Sequence, residues 1–338
     1  MHLPLETSFE RVRQAIHSYR NFIVTTHVNP DGDGIGSELG LSRFLQGLGK
    51  NASVLNSTPT PRNYQFLTKN GEVRLFDPQN PTQHLMEAEA IFILDISKWE
   101  RLGPMKEVIR NHPAIKICID HHPLNGDFAD VNLVCEDACA SGQLVLELID
   151  SMNGTLTREI AEPLYASILT DTGTFRFPNT NARTHAAAAR LLSLNIDSSQ
   201  IYEQIYERCS PGRVKLLGMS LCNLEYLHSG RLAWMMVTQA MMRQTGVEME
   251  EVEGFVDIAR GIRNVEASLL FLELSDERVK VSLRSKGDID VNQFAGKFGG
   301  GGHRHASGIL LNGPIGTAVN QVLQETHLLF QISHKLVS

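Results

Sequence analysis

Three apolar runs, each closing on polar side chains able to hold a metal, constrain this chain more than any other feature: FIVTTH at 22–27, AIFILDIS at 90–97 and KICIDHHP at 116–123. Their β-branched content and short length predict buried parallel strands, because a strand covered on both faces reads as a continuous apolar run. In such sheets the carboxyl ends of the strands carry the chemistry. Between the first two runs, Leu39, Leu41, Leu45 and Leu48 recur at roughly helical spacing, so Ser37 to Gly47 predicts a helix. The pattern is βαβ.

The length of 338 residues leaves room for two cores. Further helices are expected over Ser141 to Asn153, Arg158 to Leu169 and 183–194, with TDTGTFRFPNT between the last two as a loop by its Gly, Pro and Asn content. From about residue 218 the style changes to period-two strands, RLAWMMVT, VEASLLFLEL and RVKVSLRS, followed by a helix at DVNQFAGKF, then GGGGHRHASGILL and a final amphipathic helix from about Pro314. The expected organisation is an α/β catalytic domain over 1–194, with a parallel sheet and helices on both faces. A connector over 195–217 leads to a smaller mixed α/β domain over 218–338.

Thirty-one Lys and Arg stand against 38 Asp and Glu, a net charge of −7, the wrong sign for a broad basic surface that coats long nucleic acid. The second domain is nearly neutral, so the acidity lies in the first. No run of about 18 apolar residues occurs, and MHLPLETSFERVRQ places charges where a secretory segment needs apolar residues. Five cysteines form no CxxC pair, which fits a reducing compartment without a disulfide framework or thiolate zinc site. The chain reads as soluble and cytoplasmic, without a membrane partner.

THVNPDGDGIGSE carries His27, Asp31 and Asp33 between a predicted strand and a predicted helix, and Gly32, Gly34 and Gly36 are expected to permit tight turning and close approach of a ligand. Two carboxylates separated by one residue repel unless a cation neutralises them. A calcium loop starting at Asp31 fails, because Ile35 and Ser42 fall where an oxygen ligand and an acidic clamp are needed. An isolated strand-end Asp is often only a helix cap. Here Asp95 and the triplet Asp120, His121 and His122 end two more predicted strands, and Asp171 ends an apolar helix. His27, Asp31, Asp33, Asp95, His121 and Asp171 form an oxygen and imidazole set without thiolate, suited to Mn²⁺ or Mg²⁺ and able to take Co²⁺. Six ligands exceed the need of one catalytic ion with open positions, so two divalent ions are expected. Their charge offsets the four carboxylates.

In the second domain, Arg284 in SLRSKG and the run Gly299 to Gly302 before His303 could present cations and backbone donors to a phosphate.

In order along the chain, HVNPDGDGIGS, ILD, DHHP and LTDTGTFRF resemble the four motifs of the DHH phosphoesterase family, and LRS with GGGGH resembles its associated C-terminal domain. The resemblance implies His27, Asp31 and Asp95 around one ion, and Asp33, Asp95, His121 and Asp171 around the other, with Asp95 bridging. It implies that Asp120 orients His121 and that His122 contacts the phosphate or assists the leaving group. Arg284, Gly300, Gly301, Gly302 and His303 would bind the nucleotide. Within the family the chain is most similar to compact oligoribonucleases that also act on 3′-phosphoadenosine 5′-phosphate. The partners so implied are short RNA or DNA oligonucleotides and small nucleotides, cleaved with Mn²⁺. An exonuclease for long single strands and a non-catalytic nucleotide sensor stand as alternatives, and a homodimer is left open.

Overall fold

In the computed structural model, which describes residues 5–79, 83–96, 98–123 and 128–331, the three apolar runs become the adjacent strands at the middle of one sheet. Ser97, the last residue of the second run, and the expected start at residues 1–4 lie outside the described residues. The strands are β1 (Asn21–Thr25), β2 (Asn51–Asn56), β3 (Val73–Leu75), β4 (Ala90–Leu94), β5 (Ile115–Asp120) and β6 (Val131–Val134). Their spatial order is β3-β2-β1-β4-β5-β6, with every pairing parallel.

Alternate side chains of the central strands enter two different cores, which is why their sequences are continuously apolar. Phe22, Val24, Phe92, Leu94, Ile117 and Ile119 pack on one face. Ile23, Ile91, Ile93 and Cys118 pack on the other. Helices α1 (Leu5–Ser18), α2 (Gly32–Gly47), α3 (Ser141–Ser151), α4 (Arg158–Asp171), α5 (Ala182–Leu192) and α6 (Ser198–Tyr206) all contribute to the first core. Leu85, Leu102, Met105 and Ile109, from shorter helical segments, cover the second. Burying one such side chain stabilises by about 1.5–3 kcal/mol.

The connection after β1 runs to β2 on one side, whereas β4, on the other side of β1, continues outward to β5 and β6. The order therefore reverses between β1 and β4. Strand ends part at such a switch point and leave a crevice for a ligand.

Helix α2 begins at Gly32, not near Ser37 as the leucine spacing suggests. The Asp31 side chain caps it, accepting from Asp33 N at 3.0 Å and Gly34 N at 3.1 Å. The glycines of DGDGIG are helical rather than loop-forming. A Cβ on Gly32 would lie 2.4 Å from Thr170 Oγ1, and one on Gly36 would lie 2.2 Å from the Pro163 carbonyl oxygen. Their bareness lets α2 press against α4, so the expected turning and ligand approach give way to helix packing.

The chain divides into two compact units between Arg208 and Cys209. The stretch expected as a connector is helical on both sides of that division. Ile201 and Ile205 of α6 bury into the first unit, and Leu216 of α7 (Pro211–Cys222) into the second. The second unit has a mixed sheet of β7 (Glu225–Leu227), β8 (Leu232–Val237), β9 (Ala267–Glu273), β10 (Arg278–Ser285), β11 (Gly301–His303) and β12 (Ala306–Asn312). Its order is β11-β12-β10-β9-β8-β7, and only β8 and β9 pair in parallel. Trp234, Phe271, Val281 and Phe294 centre one of its cores, and Met235, Phe255 and Leu270 the other. Trp234, Met235, Val237, Met241 and Met242 of WMMVTQAMM are buried in these cores. No helix among the described residues is long and apolar enough to cross a membrane.

Candidate metal centre and active site

The carboxyl ends of β1, β4 and β5, the start of α2 and the end of α4 converge at the switch point. His27 lies just past β1, and its Nε2 is 3.2 Å from Asp95 Oδ2 and 3.8 Å from Asp31 Oδ1. His121 lies just past β5, and its Nε2 is 3.6 Å from each of Asp33 Oδ2, Asp95 Oδ1 and Asp171 Oδ2. All six residues expected as ligands are brought together. They form two groups, His27 with Asp31 and Asp95, and Asp33 with His121 and Asp171, whose ligand atoms lie within 4.8 Å of one another in each. Asp95 faces both, presenting one oxygen to each imidazole. Its backbone takes φ 59°, a left-handed turn that an Asp tolerates better than most residues.

Asp33 is held most firmly. Ser141 N at 2.8 Å and Gly142 N at 3.1 Å, the first turn of α3, donate to its two oxygens, and Ser167 Oγ of α4 donates at 2.6 Å. The partial positive charge of a helix start and three donors suit a carboxylate that must stay in place. Gly142 has no room for a side chain, since a Cβ there would lie 2.0 Å from Ser167 Oγ. The Ser141 helix start is visible in the sequence, but nothing there says which carboxylate it holds.

Charge in this cluster, where His27, Asp33 and Asp95 are buried and Asp31 is half-exposed, cannot stand uncompensated. Burial first, then Asp95, push the Asp33 carboxyl well above the usual range. Burial carries Asp171 up to about 6 against the pull of His121. Burial also disfavours charge on His27, yet Asp31 and Asp95 outweigh it and lift the imidazole to about 10. Burial opposes the ionisation of Asp95, but His121 and His27 hold it well below the usual range.

The donor geometry fits cations. His27 Nδ1 lies 2.9 Å from the Val28 carbonyl, which can only accept, so Nδ1 carries the hydrogen. Nε2 is then left facing two carboxylates. A neutral ring would turn its lone pair on two anions, and a cation at that nitrogen, proton or metal, removes the repulsion. The mixed oxygen and imidazole set is that of a divalent-ion site.

Asp120 differs from expectation. Its Oδ1 accepts from His122 Nδ1 at 2.6 Å and from His122 N at 3.1 Å, so the fully buried carboxylate orients His122, where His121 was expected. The strand ends at Asp120 and the chain bends at His121 and His122, so the Asp120 carboxylate reaches the backbone N and ring of the residue two positions on, while His121 faces Asp33 and Asp171. The bond fixes His122 with Nδ1 protonated.

Of the other residues near the motifs, Arg183 is spent on a salt bridge to Glu147, His185 stacks on Phe175 at 5.3 Å, and His112 accepts from Ala114 N in a loop. In the second unit, Arg284 is the penultimate residue of β10, with its Nε 3.6 Å from Asp257 Oδ2. Gly301 to His303 form an exposed edge strand paired with β12. A Cβ would lie 2.2 Å from the Gly308 carbonyl oxygen on Gly300 and 2.5 Å from that of Ala306 on Gly302, so both have a packing reason. Gly301 meets nothing closer than Asn292 Oδ1 at 3.8 Å, which leaves its backbone approachable.

A parallel sheet with a carboxylate and imidazole centre at its switch point, in a chain with a second, mixed-sheet unit, defines a two-unit α/β protein whose centre has the donor set to hold metal. Residues 21–168 match the family model described as "DHH family, N-terminal domain", and residues 234–328 match the DHHA1 domain. The bifunctional oligoribonuclease and PAP phosphatase NrnA of Thermus thermophilus is 36% identical over 294 residues, covering 86% of this chain and 84% of that protein. The protein of the same name from Bacillus subtilis is 30% identical over 301 residues, covering 87% and 90%. A crystal structure of an exopolyphosphatase-related protein from Bacteroides fragilis matches with a TM-score of 0.90 at 29% identity, covering 96% of this chain and 98% of that one. The chain belongs to the DHH family.

Proposed function

We propose that this chain hydrolyses short oligoribonucleotides and linear dinucleotides to mononucleotides, and 3′-phosphoadenosine 5′-phosphate to AMP and phosphate. The observation that carries the reading is the cluster of four carboxylates and two imidazoles at the switch point. The names of the two curated relatives give it its substrate class.

Two divalent ions, with Mn²⁺ preferred and Mg²⁺ or Co²⁺ as alternatives, would supply Lewis acidity for water activation and offset charge on the phosphoryl oxygens. His27, Asp31 and Asp95 would hold one, and Asp33, Asp95, His121 and Asp171 the other. Water adds to phosphorus, the bond from phosphorus to the leaving oxygen breaks, and that oxygen takes up a proton. Asp120 keeps the His122 ring in one tautomer and orientation, so His122 can contact the phosphate or pass that proton. Arg284, Gly300, Gly301, Gly302 and His303 would grip the nucleotide, Gly301 offering an open backbone. A cytoplasmic setting belongs to this reading, and a homodimer is compatible with it.

The test compares product release by the full chain with Mn²⁺ from dinucleotides, longer RNA, long single-stranded DNA and 3′-phosphoadenosine 5′-phosphate, with His121→Ala as control. Turnover concentrated on the shortest substrates and lost in H121A is expected. No metal-dependent product from any of them would refute the proposal, and activity undiminished on long strands would favour the exonuclease alternative.

A further inference from the structure

After Asp171 the chain makes an unusual bend. Gly173, Thr174 and Phe175 all take φ between 54° and 62°, three successive residues in the left-handed region. For the two that are not glycine this costs about 1–2 kcal/mol each, and such strain persists only where the surroundings enforce it. Here Thr174 N donates to Leu169 O at 2.8 Å, Phe175 N to Thr172 Oγ1 at 3.0 Å, and Arg176 Nε to Gly173 O at 2.7 Å. The bend returns the chain so that Asn179 sits against Asp171.

Asn179 Nδ2 is 3.0 Å from Cys139 O, 3.1 Å from Asp171 O and 3.3 Å from Asp171 Oδ2. Three oxygens around one atom of the amide identify it as the nitrogen. Asp171 Oδ2 is the same oxygen that faces His121 Nε2. Cys139 lies two residues before Ser141, whose N–H, with that of Gly142, holds Asp33. One amide therefore ties the ligand oxygen of Asp171 to the segment that cradles Asp33. Asn179 is itself anchored, its carbonyl accepting from Thr184 Oγ1 at 3.3 Å beside the capping box that starts α5.

We infer that Asn179 is a positioning residue for the group formed by Asp33, His121 and Asp171: it sets the carboxylate rotamer of Asp171 and its spacing from Asp33, and so governs divalent-metal affinity there. The inference rests on the metal-centre reading above. A partner that orients a metal ligand typically changes affinity 10- to 100-fold when removed. Asn179 touches no reacting atom, so its loss is expected to lower kcat through metal loading, with KM for the nucleotide unchanged.

The experiment uses the full chain and Mn²⁺ itself. Wild type, Asn179→Ala and Asp171→Asn are titrated with Mn²⁺ against a competing fluorescent chelator, and their melting temperatures are recorded with and without Mn²⁺. The expected result is a Kd raised about 10-fold or more in N179A for one Mn²⁺ equivalent, with a smaller Mn²⁺-induced gain in melting temperature and little change in the metal-free one. A merely structural role would lower both melting temperatures alike and leave the isotherm unmoved, which overturns the inference. If D171N weakens Mn²⁺ binding and N179A does not, the inference fails and the metal-centre reading stands. If D171N also binds Mn²⁺ as wild type does, both fail. Should N179A not fold, Asn179→Leu, which occupies similar volume without a donor, is read by the same criteria.

Discussion

Loading this centre with a divalent ion has to expel a proton from His27. Without metal the ring stands at about 10, because Asp31 and Asp95 outweigh the burial that would discharge it. At pH 7.5 that is about 2.5 units of protonation to displace, about 3 kcal/mol or a factor of roughly 300 in apparent affinity. At the ion held by His27, Asp31 and Asp95, release of the His27 proton makes the Kd for Mn²⁺ fall about tenfold for each pH unit up to about pH 10, while at the other ion the raised Asp33, His121 and Asp171 release protons of their own. Isotherms at pH 6.5, 7.5 and 8.5 would measure this, and His27→Gln should flatten one proton's worth of the slope. The same shift has a stability sign. A group raised from about 6.5 to about 10 on folding stabilises the metal-free chain fully below pH 6.5, and that share is lost as pH rises through 10. The melting temperature in chelator should therefore decline over that window, and the decline should lessen once Mn²⁺ replaces the proton. A Kd equal at pH 6.5 and 8.5, or an H27Q slope equal to that of wild type, would refute the reasoning.

Asp120→Asn keeps the shape of the buried side chain but removes its charge from the 2.6 Å bond to His122. At about 1.5–3 kcal/mol for such a bond, kcat should fall roughly 10- to 100-fold with Mn²⁺ affinity little changed, a split that steady-state kinetics beside the Mn²⁺ isotherm would reveal. Gly36→Ala places a Cβ 2.2 Å from the Pro163 carbonyl oxygen and should lower stability by about 1–3 kcal/mol in urea unfolding. Gly47→Ala, in the same helix with nothing within 4 Å, should raise it by up to about 1 kcal/mol. Burial holds the fully enclosed Glu38 carboxyl well above the usual range, so its contribution is present at acid pH and lost as pH rises through the raised value. Glu38→Gln should consequently gain melting temperature over wild type as pH increases, and a difference that shrinks towards alkaline pH would contradict this.

Much of the centre was legible because His27, Asp95 and His121 follow strand ends, where residue type and local pattern speak together. FIVTTH, AIFILD and KICIDH each announce a buried strand and the group that follows it. The edge strands β3 and β6, and β2 next to β3, announce less, being short or more polar. The glycines of DGDGIG were legible as glycines but misleading in role, because a helix that needs close packing and a loop that needs φ > 0 use the same residue. Asp120 lies within reach of both imidazoles that follow it in the chain, and only the bend after β5 decides that it holds His122.

The residue types of the centre and the parallel-strand character were determined by the sequence alone, because they depend on residue type and pattern among near neighbours along the chain, whereas the split of each unit's apolar residues into two cores came only with the sheets. Which carboxylate the start of α3 holds, which oxygen of Asp95 faces which imidazole, and that Asn179 reaches back to Asp171 and Cys139 were decided only by tertiary structure. Those are distances between residues 26 to 109 positions apart or across a strained bend. Local pattern cannot encode such distances until sheet order and helix packing have set them.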